Sequence, residues 1–188
     1  INSFKKYAVE DKKEEEDDAF AVLDDRFLDM PGFAVEKCRE VVADMAKITK
    51  EALVDATYLL DGFDKEVFKS VSEAESRVDK YEDKASSYLV KLSGKQLSKH
   101  EGHMVTELLH CIGDIERIAD HAVSIGRAVI RRKETDQQID QLNDIVNRMA
   151  ETSQTMISDA MDAFVNRDAE TAKKVALQDE IVDAGLKE

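Results

Sequence analysis

The sequence predicts an all-α protein, and three observations carry this prediction. Apolar residues recur at steps of three and four along most of the 188 residues, which is the period of one helix face. The chain has a single proline, Pro31, and seven glycines, so few positions would break a helix. Apolar residues make up 43% of the chain, enough for one substantial core or two small ones.

The first two helices are predicted from continuous apolar stripes. The first helix is expected to begin after Pro31 and Gly32 and to end at Gly62. Its stripe comprises Ala34, Cys38, Val41, Met45, Ile48, Ala52, Ala56, Leu59 and Phe63. The second helix ends at Ser93 and Gly94, and its regular alternation is typical of a bundle seam. Its stripe comprises Val71, Ala74, Val78, Tyr81, Ala85, Tyr88 and Leu92.

Three further helices follow from capping signals and stripes. Ser98 and Glu101 have the spacing of a capping box and start a third helix that ends near Lys133. Residues 135–138 offer a second capping box for a fourth helix, and a fifth begins at Asp168. The stripe of the third helix comprises Val105, Leu108, Ile112, Ile115, Ala119, Ala122 and Val129. That of the fourth comprises Ile139, Leu142, Ile145, Met149, Met156, Ala160 and Phe164.

The chain also contains an internal repeat. An ungapped shift of 104 residues aligns the first two helices with the last two, and it matches Val42 with Val146, Met45 with Met149, Asp64 with Asp168, Val71 with Val175 and Asp79 with Asp183. Chance similarity of amphipathic helices would give some of these pairs, but a tandem repeat explains them better. The predicted architecture is two tandem antiparallel three-helix bundles, the second of them incomplete.

This architecture divides the chain into three parts. Residues 1–26 contain an acidic and basic charge block and are interpreted as a linker. Residues 27–134 form the first three-helix repeat, and residues 135–188 hold the first two helices of the second. The counterpart of the third helix is expected after Glu188. Because the chain starts at Ile1 without a signal-peptide pattern, it is interpreted as part of a longer protein.

Charge and composition exclude several classes of partner. The net charge is −14 and the pI is about 4.8, so nucleic acid and an anionic lipid surface would be repelled. Apolar runs are too short to span a bilayer. Cys38 and Cys111 are expected to be reduced thiols on or beside apolar stripes rather than a disulfide.

Three segments with acid-x-x-x-acid spacing are the strongest candidate metal-binding sites. Their acidic residues are Glu75 and Asp79, Glu116 and Asp120, and Asp179 and Asp183. A step of four puts both carboxylates on one helix face, where they repel unless a cation compensates them. The first two pairs lie on the flanks of neighbouring apolar seams and are expected to face one groove. Such oxygen ligands suit Mg²⁺, Ca²⁺, Mn²⁺ or iron better than structural zinc. The alternative is a solvated acidic edge neutralised by Lys and Arg.

The histidines give weaker candidates. His103, His110 and His121 project, with Asp114 and Arg117, to the face opposite the seam of the third helix, which is typical of a solvated surface. His110 with Asp114 is a weaker candidate ligand pair. Glu107 and His110 have the Glu-x-x-His spacing of carboxylate-bridged di-iron bundles, but those bundles need two such motifs that face inward. Phosphate loops and nucleophile elbows are absent from the sequence, so a non-enzymatic role is predicted.

Residues 112–125 (IGDIERIADHAVSI) resemble the signature of the PhoU family. That resemblance implies a six-helix tandem repeat with Glu/Asp-x-x-x-Asp pairs that bind metal. The pairs in this sequence are Glu75 and Asp79, Glu116 and Asp120, and Asp179 and Asp183. The implied ions are divalent or ferric (iron, manganese, magnesium, calcium or zinc). Ala119 stands where the family commonly has glycine.

Two flanking segments, residues 25–36 and 87–93, resemble the PhoU-like C-terminal domain of bacterial sodium/phosphate cotransporters. This implies a regulatory domain at the cytoplasmic face of the inner membrane that modulates phosphate uptake, with the transporter's own membrane domain as its partner. The alternative is a free-standing phosphate-signalling adaptor that acts by protein–protein contact. A metal-dependent hydrolase or oxidase is the third class. A homodimer is expected to cover the open side of the second repeat.

Overall fold

A computed structural model describes residues 19–135 and 140–185, with the backbone alone at 133–135, 140–147 and 179–185. These described residues form five α-helices and a 3₁₀ helix and contain no strand. The 3₁₀ helix spans Asp25–Asp29. The α-helices are α1 (Pro31–Tyr58), α2 (Lys65–Ser93), α3 (Lys99–Thr135), α4 (Asp140–Asn166) and α5 (Ala169–Gly185). The prediction of an all-α fold is confirmed.

The predicted end of the first helix at Gly62 is wrong by one turn. Beyond Tyr58 the backbone hydrogen bonds join residues i and i−3. The Leu59 N–H donates to Ala56 O (3.2 Å), and the Leu60 N–H donates to Thr57 O (3.0 Å). Such tighter pairs are a common way to satisfy the last carbonyls of a helix. Leu59 is still fully buried, so its apolar character continued the stripe after the helix had ended.

The predicted capping box at the start of α3 is confirmed. The Ser98 N–H donates to Glu101 Oε2 (2.7 Å), and the Glu101 N–H donates to Ser98 Oγ (3.3 Å). Each side chain therefore satisfies a backbone donor of the other residue. The second predicted box, at residues 135–138, lies largely outside the described residues.

The chain divides into two compact units, and the first comprises residues up to Asp44 together with Lys80–Asp114. In this unit a segment preceding α1 lies along the C-terminal half of α2. The Tyr88 hydroxyl donates to Asp24 O (3.2 Å), and Lys91 and Lys95 pair with Asp25 (2.9 Å) and Asp29 (2.8 Å). The buried residues of this unit include Val35, Cys38, Val42, Ala85, Leu89, Leu92, Val105 and Leu108. The charge block of the predicted linker lies outside the described residues.

The second unit comprises Met45–Asp79 and Ile115–Glu188. A hydrophobic cluster in this unit contains the buried residues Ala56, Val71, Ala122 and Val123, with Phe68 and Ile125 packed against them. In α3, Gly126 allows close packing, because a Cβ there would lie 2.4 Å from Cδ2 of Phe68. Helices α4 and α5 pack against each other.

Part of the apolar stripe of α4 and α5 stays open to solvent in this structure. In the predicted stripe of α4, Met156 and Phe164 are half-buried and Met149 is exposed, and on α5 Val175 is half-buried and Leu177 is exposed. A homodimer that covers this side stays a prediction. Within the part of the chain that the structure describes, none of the helices is long and apolar enough to cross a membrane.

Candidate functional site

The carboxylate pair of α2 lies beside a buried seam, as its spacing predicts. Val71 and Val78 are fully buried, whereas Glu75 is half-buried and Asp79 is exposed. The Ser76 hydroxyl donates to Glu75 Oε2 (3.2 Å). The four-residue step places both carboxylates on one face of the helix, one turn apart.

The pair of α3 has the same relation to its own seam. Ile115 and Ala119 are buried, Glu116 is half-buried, and Asp120 is exposed. Both pairs belong to the second unit. The predicted position of these four carboxylates on the flanks of two apolar seams therefore agrees with their burial.

The described side chains do not bring these carboxylates into a ligand set. In residues 19–132 and 148–178, no three His, Cys, Asp or Glu side chains are grouped so that they could hold one metal ion. Each of the two helices thus offers a pair of carboxylates rather than a three-ligand site. Metal binding by Glu75, Asp79, Glu116 and Asp120 stays a prediction.

The third predicted pair consists of Asp179 and Asp183, near the end of α5. The backbone of both residues is helical, so the four-residue step places them one turn apart, as the sequence predicts. The side chains of Asp179 and Asp183 lie outside the described ones. The assignment of Asp179 and Asp183 as metal ligands therefore stays a prediction from the sequence alone.

The weaker candidates occupy the solvent-facing side of α3. His110, His121 and Asp114 are all exposed, as the position opposite the seam predicts. Earlier in α3, His103 Nε2 lies 3.2 Å from Glu107 Oε1, and both side chains of this pair are exposed to solvent. This face of α3 resembles a solvated helix surface rather than an enclosed ligand site.

Both cysteines are free thiols, which confirms that expectation. Burial raises the pKa of Cys38 to about 12, and its Sγ donates to Ala85 O (3.8 Å). Burial, followed by the nearby Asp114 and Glu107 carboxylates, raises the pKa of Cys111. Neither thiol is set up as a thiolate nucleophile at neutral pH.

Sequence reasoning missed a groove between α1 and α4 in the second unit. A cavity of about 250 Å³ is lined by Val54, Thr57, Tyr58, Leu60, Asp61, Ala150, Glu151 and Gln154. A second cavity of about 360 Å³ shares Val54 with it and is lined by Lys47, Lys50, Glu51, Asp55 and Asp162. The only signal in the sequence is that Val54 and Tyr58 are apolar residues outside the stripe of α1.

The comparison with protein families decides where the chain belongs. The family model for the PhoU domain matches residues 42–129 and again residues 146–188. The chain belongs to the PhoU family. The two matched segments begin 104 residues apart, which is the offset that aligns Val42 with Val146 in the internal repeat.

Three curated proteins that are similar to this PhoU-family chain share one name. The chain is 27% identical over 150 residues to a phosphate-specific transport system accessory protein PhoU homolog of Aquifex aeolicus, with 79% of this chain and 67% of the relative covered. Proteins of the same name from Clostridium acetobutylicum (23% identity; 80% and 68% covered) and Borreliella burgdorferi (28%; 79% and 69%) are also similar. No solved structure gives a significant match.

Proposed function

We propose that the chain is a regulatory accessory protein of phosphate transport that acts by protein–protein contact. The observation that carries this proposal is the double match to the PhoU domain, together with relatives named as accessory proteins of phosphate-specific transport systems. The chain's acidic surface, with a net charge of −14, suits basic protein partners better than nucleic acid. Catalysis plays no part in this proposal.

In-cell cross-linking tests the proposed contact. A tagged chain is expressed from its own promoter, cells are cross-linked in phosphate-rich and in phosphate-poor medium, and the proteins bound to the tag are identified and quantified. Components of the phosphate transport or phosphate-sensing machinery are expected to be enriched over a matched tag-only control. If no such component is enriched in either high or low phosphate, the proposed function is wrong.

The second candidate function is narrower: a cytoplasmic domain of a sodium/phosphate cotransporter. Its specific support is that the two segments with that resemblance, residues 25–36 and 87–93, contact each other through the Asp25–Lys91 ion pair. The names of the curated relatives favour the accessory-protein reading. Reading the coding sequence upstream of Ile1 separates the two, because a cotransporter requires apolar segments of about 20 residues there.

We also propose that the carboxylate pairs bind divalent or ferric ions. Glu75 and Asp79 flank one buried seam and Glu116 and Asp120 flank another in the same unit, and a bound cation would offset the repulsion within each pair. Such binding would stabilise the folded chain rather than supply a reaction.

A further inference from the structure

The α1/α4 groove is defined by the two cavities that share Val54. It lies wholly within the second unit. Two contacts fix its walls: Lys50 Nζ pairs with Asp162 Oδ2 (2.6 Å), and the Thr57 hydroxyl donates to Gln154 Oε1 (2.6 Å). These contacts join residues 112 and 97 positions apart, so the groove depends on the tertiary structure.

The Tyr58 end of the groove combines exposed apolar side chains with polar ones. Tyr58 is 63% exposed and Val54 is 41% exposed, and half-buried Leu60 and Ala150 lie beside them. A large aromatic side chain left this open is typical of residues that bury against a partner. The cavity here has the size of one or two aliphatic side chains, so this end suits an apolar anchor.

The Glu51 end of the groove is charged, with three acidic and two basic residues in its lining. Glu51 and Asp55 line it with Lys47 and Lys50. Lys50 is already paired with Asp162, and Asp61 and Glu151 add carboxylates at the Tyr58 end. The groove therefore carries an excess of negative charge, and a Lys or Arg side chain is the complementary occupant.

The two ends of the groove follow each other along α1. Tyr58 lines one cavity and Glu51 lines the other, and these two residues of α1 are seven positions, or about 10 Å, apart along the helix. A helix laid along α1 presents its residues i and i+7 at this separation on one face.

We propose that the α1/α4 groove binds an amphipathic helix of a partner protein, with apolar anchors at the Tyr58 end and a basic residue seven positions away at the Glu51 end. This inference rests on the proposed function, because it names the surface and the kind of partner through which the accessory protein acts. Recognition requires both ends: burial of the anchor gives affinity, and the ion pair at Glu51 and Asp55 sets the direction of the helix.

A labelled helical peptide is the probe. It has two leucines one turn apart and an arginine seven positions after the first leucine, and fluorescence anisotropy reports its binding to the full chain. Tyr58→Ala is expected to weaken binding roughly tenfold or more. Glu51→Lys is expected to weaken it as well, and to restore binding of a matched peptide that carries glutamate in place of the arginine. A merely structural role for Glu51 would not produce that exchange of preference.

Two variants elsewhere serve as matched controls. Val90→Ala removes an exposed apolar residue of α2 (61% exposed), and Glu40→Lys reverses an exposed charge of α1, both in the first unit. Both are expected to bind the probe as the parent chain does, and circular dichroism checks that every variant is folded. Loss of binding in these controls equal to that in Tyr58→Ala overturns the proposal. So does unchanged binding in Tyr58→Ala, or a dimer that Tyr58→Ala converts to a monomer, which would assign the groove to a second copy.

An allele test separates this inference from the proposed function. In a strain that lacks the chain, phosphate uptake is measured after complementation with the parent or with Tyr58→Ala. If the deletion alters uptake and Tyr58→Ala restores it fully, the groove proposal is wrong and the proposed function stands. If the deletion leaves uptake unchanged, the proposed function is wrong, while the peptide assay still decides the groove.

Discussion

Asp64 and Asp168, which lie 104 residues apart, make the same hydrogen bonds at the starts of α2 and α5. Asp64 Oδ1 accepts from the N–H groups of Glu66 (2.8 Å) and Val67 (3.1 Å). Asp168 Oδ1 accepts from those of Glu170 (3.0 Å) and Thr171 (3.1 Å). The repeat seen in the sequence is therefore also a repeat of local structure, because the same residue type caps the equivalent helix in each half.

Removing the first of these caps is expected to destabilise the fold. Asp64→Ala leaves two backbone donors at the start of α2 without a side-chain acceptor, which costs about 0.5–2 kcal/mol of unfolding free energy. Urea denaturation followed by circular dichroism measures it. Asp64→Asn is the matched control, since Asn also caps well; a loss as large as that of Asp64→Ala would show that the cap is not the cause.

Gly126 provides a second test of packing in the second unit. Gly126→Ala places a Cβ 2.4 Å from the Phe68 ring and 3.3 Å from Leu59, so we expect a loss of about 1–3 kcal/mol from overpacking. Thermal unfolding measures it. Gly113→Ala, in the same helix with open space around its Cβ, is the control and is expected to be neutral or stabilising by up to about 1 kcal/mol. Equal effects at both positions would contradict the close approach at Gly126.

The pH dependence of stability is expected to reflect the capping box of α3. Hydrogen bonds from Ser98, first through its side chain and then through its backbone, lower the pKa of Glu101 below its ordinary value of 4.5. A lowered pKa in the folded state gives stability that is present above the unfolded-state pKa and is lost as the pH falls through the folded-state value.

Melting temperatures between pH 7 and pH 3 test this linkage. The parent is expected to lose more stability on acidification than Glu101→Gln, whose capping group does not titrate. Glu40→Gln, at an exposed position outside the box, is the control and should keep the parental pH profile. If Glu101→Gln and the parent have parallel profiles, the capping carboxylate does not contribute to acid sensitivity.

Much of the fold could be predicted from the sequence, because its signals are local. The stripe of α2 and the Ser98–Glu101 box are properties of neighbouring residues, and both have the predicted structure. The predicted end of α1 was wrong because Leu59 is buried beyond the last helical residue. An apolar pattern alone does not distinguish a helical turn from a buried residue that follows it.

The candidate site was predictable only as far as one helix at a time. Spacing placed Glu75 and Asp79 on the flank of one seam, but whether two flanks meet depends on the rotation and separation of the helices. The α1/α4 groove could not be predicted for the same reason, because its walls are joined by contacts between the two helices such as the Lys50–Asp162 ion pair. Contacts between residues this far apart leave no periodic signal in the sequence.

Metal binding by the carboxylate pairs is testable directly. The Asp79→Ala, Asp120→Ala double variant removes one carboxylate from each of two pairs and is expected to bind less iron or manganese than the parent, as measured by calorimetry and elemental analysis. Metal should also raise the melting temperature of the parent more than that of the variant, since it binds the folded state. The matched control is Asp83→Ala, an exposed carboxylate outside the pairs. Equal metal content in parent and double variant would show that these pairs are not the site.

The predicted pair on α5 is tested in the same way. Asp183→Ala removes one carboxylate of the pair that Asp179 and Asp183 form one turn apart on the helix, so it is expected to lower metal content further when it is added to the double variant. Elemental analysis of the triple variant measures this loss. If the triple and double variants hold the same amount of metal, Asp183 is not a ligand.

Phosphate uptake in a strain that lacks the chain is the most direct test of the account. Uptake of labelled phosphate is measured in phosphate-rich and phosphate-poor medium, with and without the parent gene restored. A regulatory accessory protein predicts that deletion changes the response of uptake to external phosphate and that the restored gene returns it to normal. Identical uptake curves with and without the chain, in both media, would contradict a role in phosphate transport.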